Sequence, residues 1–248
     1  MVEAFTNGVL ADIHAPFEDT VALNTACRVL RAVGVTDLYI LGDGMDLWHW
    51  SRFDKSWIDF PHERLSMTPQ AELDYGRELF ADILRRVKPK RNAYWVQGNH
   101  EERAIRGVER GGDRRPLPKI DSFHKLMGLA KLGYKWVPHA RKVGQLWYTH
   151  GDVARKYTAA KMLDNWKANV IYGHAHRREN FTHNPRTREI ISAWGIGCLC
   201  HIEPSWTTKP DWHHGEALVT HVGRRFHVES VHIIDGETAV GGKLYAPR

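Results

Sequence analysis

The chain has 248 residues, 42% of them hydrophobic and 26% charged, an ordinary balance for a globular protein. No apolar run approaches the ~18 residues that a membrane-spanning helix requires, and the three cysteines, Cys27, Cys198 and Cys200, form no CxxC pair and are too few for a disulfide framework. A net charge of +6 suits an anionic partner, although excess charge also serves solubility. Residues 1–7 show no basic segment followed by an apolar one, so a reduced, cytoplasmic setting is expected. The length suggests a single domain spanning 1–248, with insertions near 47–67 and 103–120.

Residues 8–11 form a short apolar run that reads as a buried strand, and Asp12 and His14 follow it. Two apart in an extended segment, their side chains point the same way. A carboxylate oxygen beside an imidazole nitrogen suits a divalent transition metal. Val21, Ala22, Ala26, Val29, Leu30 and Val33 then recur at three-to-four spacing until Gly34, which predicts an amphipathic helix over 18–33. The next apolar run, 38–41, completes a β-α-β unit and ends at Gly42-Asp43-Gly44-Met45-Asp46. A continuous apolar run marks a doubly buried strand of the parallel kind, and α/β proteins place ligands beyond the C-terminal ends of such strands. A carboxylate there needs a cation or water, because burying it bare is costly. Asp beside Gly is also a common turn, and that reading stays open.

Residues 47–66 follow no simple period and mix Trp48, Trp50, Phe53, Trp57 and Phe60 with Arg52, Lys55 and Arg64. They suggest an ordered insertion beside the site, able to stack bases and hold phosphates, or a cap that packs its aromatics on the core. Thr68-Pro69 reads as an N-cap and first-turn proline, opening a helix to 87 with Leu73, Leu79, Phe80, Ile83 and Leu84 as its buried stripe. A strand over 92–97 ends in Gly98-Asn99-His100-Glu101. The Asn99 amide oxygen can complete an oxygen-and-nitrogen shell, and His100 could ligate or handle a proton. Arg103, Arg106, Arg110, Arg114, Arg115 and Lys119 then make a basic stretch around Gly111-Gly112, either facing an anionic substrate or forming a solvated surface.

A helix near 122–130 precedes a strand over 145–149 that ends in His150-Gly151-Asp152, where Asp152 could cap the next helix, near 157–168. The strand 169–172 ends in Gly173-His174-Ala175-His176. The remainder reads as β over 189–194, 216–222 and 225–234, with Gly223-Arg224 suiting a hairpin turn. Cys198 and Cys200 are expected in a buried strand or loop, and His213-His214 as a surface pair.

Asp12, His14, Asp43, Asn99, His150, His174 and His176 are more ligands than the roughly four to six that one ion takes. Two divalent ions sharing the Asp43 carboxylate are therefore expected. Two cations about 3.5–4 Å apart can hold a bridging hydroxide and clamp a phosphoryl group for in-line attack. With no thiolate in the set, Mn2+ is the expected ion, with Fe, Zn, Ni, Co or Mg as alternatives.

The series D-x-H, G-D-x-x-D, G-N-H-E, H-G and G-H-x-H, in this order over residues 10–176, resembles the calcineurin-like metallophosphoesterases. The resemblance implies a four-layer α/β/β/α sandwich. It implies one metal on Asp12, His14 and His176, another on Asn99, His150 and His174, and Asp43 bridging them. It further implies that His100, paired with Asp46, gives a proton to the leaving oxygen or stabilises charge there. The second motif runs on into Leu47-Trp48 and lacks the Arg-Gly of protein Ser/Thr phosphatases, which sets that branch aside. The short chain and its basic, aromatic inserts look more like phage or bacterial phosphoesterases. The expected activity is hydrolysis of phosphodiesters of nucleic acids or nucleotides, with Arg103, Arg106 and Trp48 as substrate-binding candidates. The alternatives are a phosphomonoesterase for a nucleotide, sugar phosphate or phosphoprotein, and a non-catalytic nucleic-acid-binding module.

Overall fold

The structure, a computed structural model, describes residues 4–50, 67–109, 122–184, 186, 189–203 and 210–247. Of the two basic and aromatic inserts, Arg52, Phe53, Lys55, Trp57, Phe60, Arg64, Arg110, Arg114, Arg115 and Lys119 lie outside the described residues.

Strand β1 (Ala4–Leu10), helix α1 (Thr20–Val33) and strand β2 (Asp37–Ile40) form the expected β-α-β unit, with β1 and β2 parallel. Helix α1 begins at 20 rather than 18 because Asp19 is its cap, its carboxylate accepting the Ala22 N–H at 2.8 Å. Gly34, at φ 69°, ends it in the left-handed conformation that glycine adopts without strain. Thr68 caps helix α2 (Pro69–Val87), and strand β3 (Asn92–Val96) leads directly into helix α3 (Asn99–Glu109). The single helix expected near 122–130 is two, α4 (Phe123–Met127) and α5 (Leu129–Leu132), because Gly128 sits at φ 64° between them. Strands β4 (Tyr134–Val137), β5 (Ala140–Val143) and β6 (Leu146–Thr149) follow, then helix α6 (Thr158–Trp166) and strand β7 (Asn169–Tyr172). The rest is β8 (Arg178–His183), β9 (Ile191–Ile196), β10 (Gly215–Val222), β11 (Arg225–His232), β12 (Thr238–Val240) and β13 (Lys243–Tyr245).

Two sheets carry the fold. One has the order β11-β10-β1-β2-β3-β4, the other β5-β6-β7-β9-β8, and β12 and β13 form a separate hairpin. Strand alternation sorts the apolar residues into three layers. Leu10, Leu38, Ile40 and Trp95 face α1 and α2, meeting Ala22, Leu23, Ala26, Leu30, Phe80 and Ile83. Their neighbours Val9, Tyr39, Leu41, Tyr94 and Val96 face the opposite way and pack on Leu146, Tyr148, Ile171 and Ile196 of the second sheet. The outer face of that sheet, with Val170, Tyr172 and Ala193, packs on Ala159, Met162 and Leu163 of α6. Three apolar layers thus separate helices, sheet, sheet and helix, the expected α/β/β/α arrangement. Burial on both faces explains why the β2 run is continuously apolar rather than alternating. It also sets the functional geometry: β1, β2 and β3 run parallel in one sheet and β6 and β7 run parallel in the other, so each group presents its C-terminal ends together.

Candidate metal centre

The loops after β1, β2, β3, β6 and β7 bring Asp12, His14, Asp43, Asn99, His150, His174 and His176 to one place. Asp12, Asp43 and His150 are almost wholly buried, whereas Asn99 lies at the solvent side. The ring orientations can be read from their outer edges. His150 Nδ1–H donates to the Leu41 carbonyl at 2.8 Å, which leaves Nε2 of the neutral ring as a bare lone pair. That lone pair faces three more acceptors: Asn99 Oδ1 at 2.9 Å, His174 Nδ1 at 3.1 Å and Asp43 Oδ2 at 3.2 Å. Opposite, His14 Nδ1–H donates to Asp46 Oδ2 at 3.2 Å, so His14 Nε2 faces His176 Nε2 at 3.1 Å. Asp12 Oδ1 and Asp43 Oδ2 each lie 3.9 Å from the same His14 nitrogen. Asp12 Oδ1 is buried without an aligned hydrogen-bond donor, though His176 Nε2 comes within 3.3 Å.

Acceptors crowded face to face in a buried site call for positive charge between them. Oxygen and imidazole donors in this number fit divalent cations. Protons can stand in for those cations. Burial disfavours the charged imidazole of His150, but the carboxylates of Asp43, Asp12 and Glu101 together outweigh it and push the ring up to about 10. Burial would likewise raise Asp43, yet the charged His150 ring beside it holds its carboxyl well below the usual range.

His100 differs from the others. Its Nδ1–H donates to the Asp46 main-chain carbonyl at 2.6 Å, and its main-chain N–H donates to Asp43 Oδ1 at 2.8 Å. Burial pushes its pKa down to about 3, so the ring is neutral, with Nε2 as its free edge 3.7 Å from Asp43 Oδ2. The expected pairing of His100 with Asp46 therefore runs through the main chain. The Asp46 carboxylate stands 3.7 Å from His100 Nδ1 and closer, at 3.2 Å, to His14.

Five of the seven gathered residues have positive φ: Asp12 (52°), His14 (51°), Asp43 (46°), His174 (64°) and His176 (56°). Outside glycine such backbone costs about 1–3 kcal/mol per residue and persists only where the surroundings over-determine it. Here they do. Asp12 N–H donates to the Gly42 carbonyl, His14 N–H to that of Asp43, and His174 N–H to Asp12 Oδ2 at 2.8 Å. A Cβ on Gly98 would fall 2.2 Å from Asp43 Oδ1, and one on Gly173 would fall 2.3 Å from Asp12 Oδ2, so only glycine lets these loops approach so closely.

Glu101 is the functional residue that sequence reasoning passed over, although it closes the G-N-H-E motif. Fully buried, its carboxylate accepts the main-chain N–H groups of Gly98 (2.7 Å), Asp43 (3.0 Å) and Gly44 (2.9 Å), tying the loop after β3 to the loop after β2. Burial, reinforced by the Asp43 carboxylate, pushes its pKa up to about 7. Glu101→Ala would leave three buried donors without an acceptor. The expected result is a loss on the order of 3 kcal/mol in urea unfolding, with weaker metal binding in parallel. Unchanged stability would mean that water replaces the carboxylate.

The remaining candidates divide. Arg103 is half-buried one turn beyond His100, and its charge acts on that ring. Arg106 is exposed and paired with Glu102 along α3. Trp48 is half-buried in a short 3-10 turn, its ring 3.8 Å from that of His49, and Trp50 of the same turn packs against the helix-side core. The packing reading therefore holds for Trp50. His213-His214 is not a surface pair, because His214 is buried and its Nε2–H donates to the Cys200 carbonyl at 2.8 Å. Asp152 is exposed and does not cap α6, whose N-cap is Tyr157. Trp212 and Cys200, which no motif flagged, both touch His176: the indole edge-on at 4.2 Å between centroids, the sulfur 3.9 Å from Nδ1.

The double-sheet α/β/β/α sandwich and the buried carboxylate–imidazole cluster at its parallel strand ends define the class of protein: a two-sheet α/β fold with a donor set that could hold a metal ion. The chain belongs to the calcineurin-like phosphoesterase family, whose sequence profile matches residues 6–231. It is similar to the gene 54 protein of Mycobacterium phage L5, 23% identical over 253 residues that cover 96% of this chain and 97% of that protein. Among solved structures it is similar to Vacuolar Protein Sorting 29 from Cryptosporidium parvum, with a TM-score of 0.50, 12% identity and 98% of each chain covered. Chaetomium thermophilum Vps29 gives the same TM-score at 10% identity, covering 98% of this chain and 100% of that one. At these identities the two structures bear on the fold alone.

Proposed function

We propose that the chain is a phosphoesterase working with two divalent cations, and that its substrates are phosphodiesters of nucleic acids or nucleotides. The observation that carries this reading is the position of Asp43. Among the described residues, it belongs to two separate groups of donors, one with His14 and His100 and one with His150 and His174, each within 4.8 Å. Asp12, His14 and His176 would hold one cation, Asn99, His150 and His174 the other, with Asp43 between them. Manganese fits this oxygen-and-imidazole set, as do iron, zinc, nickel, cobalt and magnesium. When bound, such ions supply Lewis-acid chemistry, bringing the pKa of water towards neutrality and neutralising charge on phosphoryl oxygens.

The chain's own groups do the rest. The Asp46 carboxylate and the Leu41 carbonyl hold His14 and His150 by their outer nitrogens, so that both inner nitrogens point into the crevice. His100 presents Nε2 there and takes up or returns a proton at that atom. Arg103, one turn away, offers a guanidinium to a phosphate oxygen. The net charge of +6 and the basic stretch beyond α3 favour a polyanionic substrate over a small neutral one.

A second reading, a nucleic-acid-binding module without hydrolysis, is favoured by the same net charge and basic stretch, which would hold a polyanion whether or not it is cleaved. Against it, every donor of the cluster is present and converging. The deciding experiment is a metal-screened assay on bis-p-nitrophenyl phosphate, p-nitrophenyl phosphate, and single-stranded DNA and RNA. Manganese-dependent cleavage of the diester and of polymer, well above the monoester, is expected. Preference for the monoester would replace the diesterase reading, and metal and polymer binding with no turnover on any substrate would leave the non-catalytic binding module.

A further inference from the structure

We infer that Cys200 is a positioning residue for His176: its thiol takes the Nδ1–H of that ring and so aims Nε2 into the cluster. The inference rests on the two-cation reading above. A ligating imidazole is oriented through the nitrogen that does not ligate, and the partner on that side fixes both tautomer and angle. His14 has the Asp46 carboxylate there at 3.2 Å, and His150 has the Leu41 carbonyl at 2.8 Å. For His176 the corresponding atom, Nδ1, has the Cys200 sulfur at 3.9 Å. Both residues are buried, and Trp212 lies edge-on to the same ring. A thiol sulfur is a weak acceptor, which makes this the softest of the three supports.

The thiol itself is firmly placed. Leu199 N–H donates to the Asp12 carbonyl at 3.0 Å, Asp19 N–H to that of Leu199 at 2.8 Å, and His201 N–H to that of Phe17 at 3.2 Å. His214 Nε2–H donates to the Cys200 carbonyl at 2.8 Å, while His213 N–H donates to the His176 carbonyl at 2.9 Å. Residues 199–201 are thus stitched to the loop that carries Asp12 and His14, and the pair 213–214 joins them to His176. Sulfur and imidazole are held in one frame with the other ligands of that half of the site.

The test is a Co2+ titration of the full chain, followed by visible absorption and calorimetry, with thermal melts to confirm folding. Cys200→Ala is expected to weaken binding about 10-fold or more, the usual scale for losing such a support. Cys200→Ser, which keeps a small acceptor, should recover part of that loss. Cys27→Ser, at a buried thiol in helix α1, should bind as the parent does. In the parent loaded with Zn2+, 15N spectra should show His176 protonated at Nδ1 and ligated at Nε2. Equal affinity for Cys200→Ala and the parent overturns the inference, as does a serine variant no better than alanine, which would mark a packing role. A bare Nδ1 overturns it without any variant. A sulfur-to-cobalt charge-transfer band in the parent, lost in Cys200→Ala, overturns it in favour of a thiolate ligand. A parent that binds no Co2+ removes the cation site itself, and this inference with it.

Discussion

Asp43→Ala is expected to remove bound metal and activity together. Among the described residues, Asp43 is the carboxylate shared by both groups of imidazoles, with Oδ2 at 3.2 Å from His150 Nε2 and 3.9 Å from His14 Nε2. Its Oδ1 also accepts the His100 main-chain N–H, so the change unties the start of α3 as well. After dialysis with manganese, metal analysis of the parent should approach about two ions per chain, and the variant should retain less than one. The rate should fall on the order of 10³-fold or more, the upper scale for losing one electrostatic stabiliser of a transition state. Asp152→Ala, at an exposed position beyond the His150-Gly151 turn, should leave both quantities unchanged. A parent that reproducibly holds one ion, whatever the excess of metal, would count against Asp43 as a shared ligand.

His100→Ala should keep the metals and lose about 10²–10⁴ in rate, the contribution expected of a positioned proton-transfer group. The hydrogen bond to the Asp46 carbonyl commits the ring proton to Nδ1, so Nε2 is the only edge available to a substrate. If that edge hands a proton to the leaving oxygen, the loss should shrink for p-nitrophenyl esters, whose leaving group needs little protonation. An equal loss for good and poor leaving groups would make His100 a binder of phosphoryl oxygen. Loss of a metal ion would make it a ligand, which its place beside His14 and Asp43 also allows.

Much of this molecule can be read from short stretches of chain. A buried strand announces itself as an apolar run, and the residues just beyond it occupy the crevice end of a parallel sheet. That is why Asp12, His14, Asp43, Asn99, His150, His174 and His176 can be gathered from five separate strand ends in the sequence alone. The helix end at Gly34 and the cap at Thr68 are equally local, each satisfying main-chain groups within one helical turn.

What escaped the sequence lies across the fold. Strands β4, β5, β12 and β13 have only three or four residues and no apolar run, and β8 is exposed over its last four residues, so pairing with a neighbouring strand rather than periodicity makes them strands. Gly128 splits a continuous helical pattern because one left-handed residue redirects the chain at no side-chain cost. The supports of the ligands depend on tertiary structure most of all. Asp46 turns its carboxylate to His14 across 32 positions, Cys200 reaches His176 across 24, and Glu101 accepts main-chain N–H groups from a loop 57 and 58 positions away. Ligand identity is local chemistry at a strand end. Ligand orientation is a hydrogen bond to whatever the neighbouring loop places behind the ring, and only the packing of the two sheets decides which residue that is.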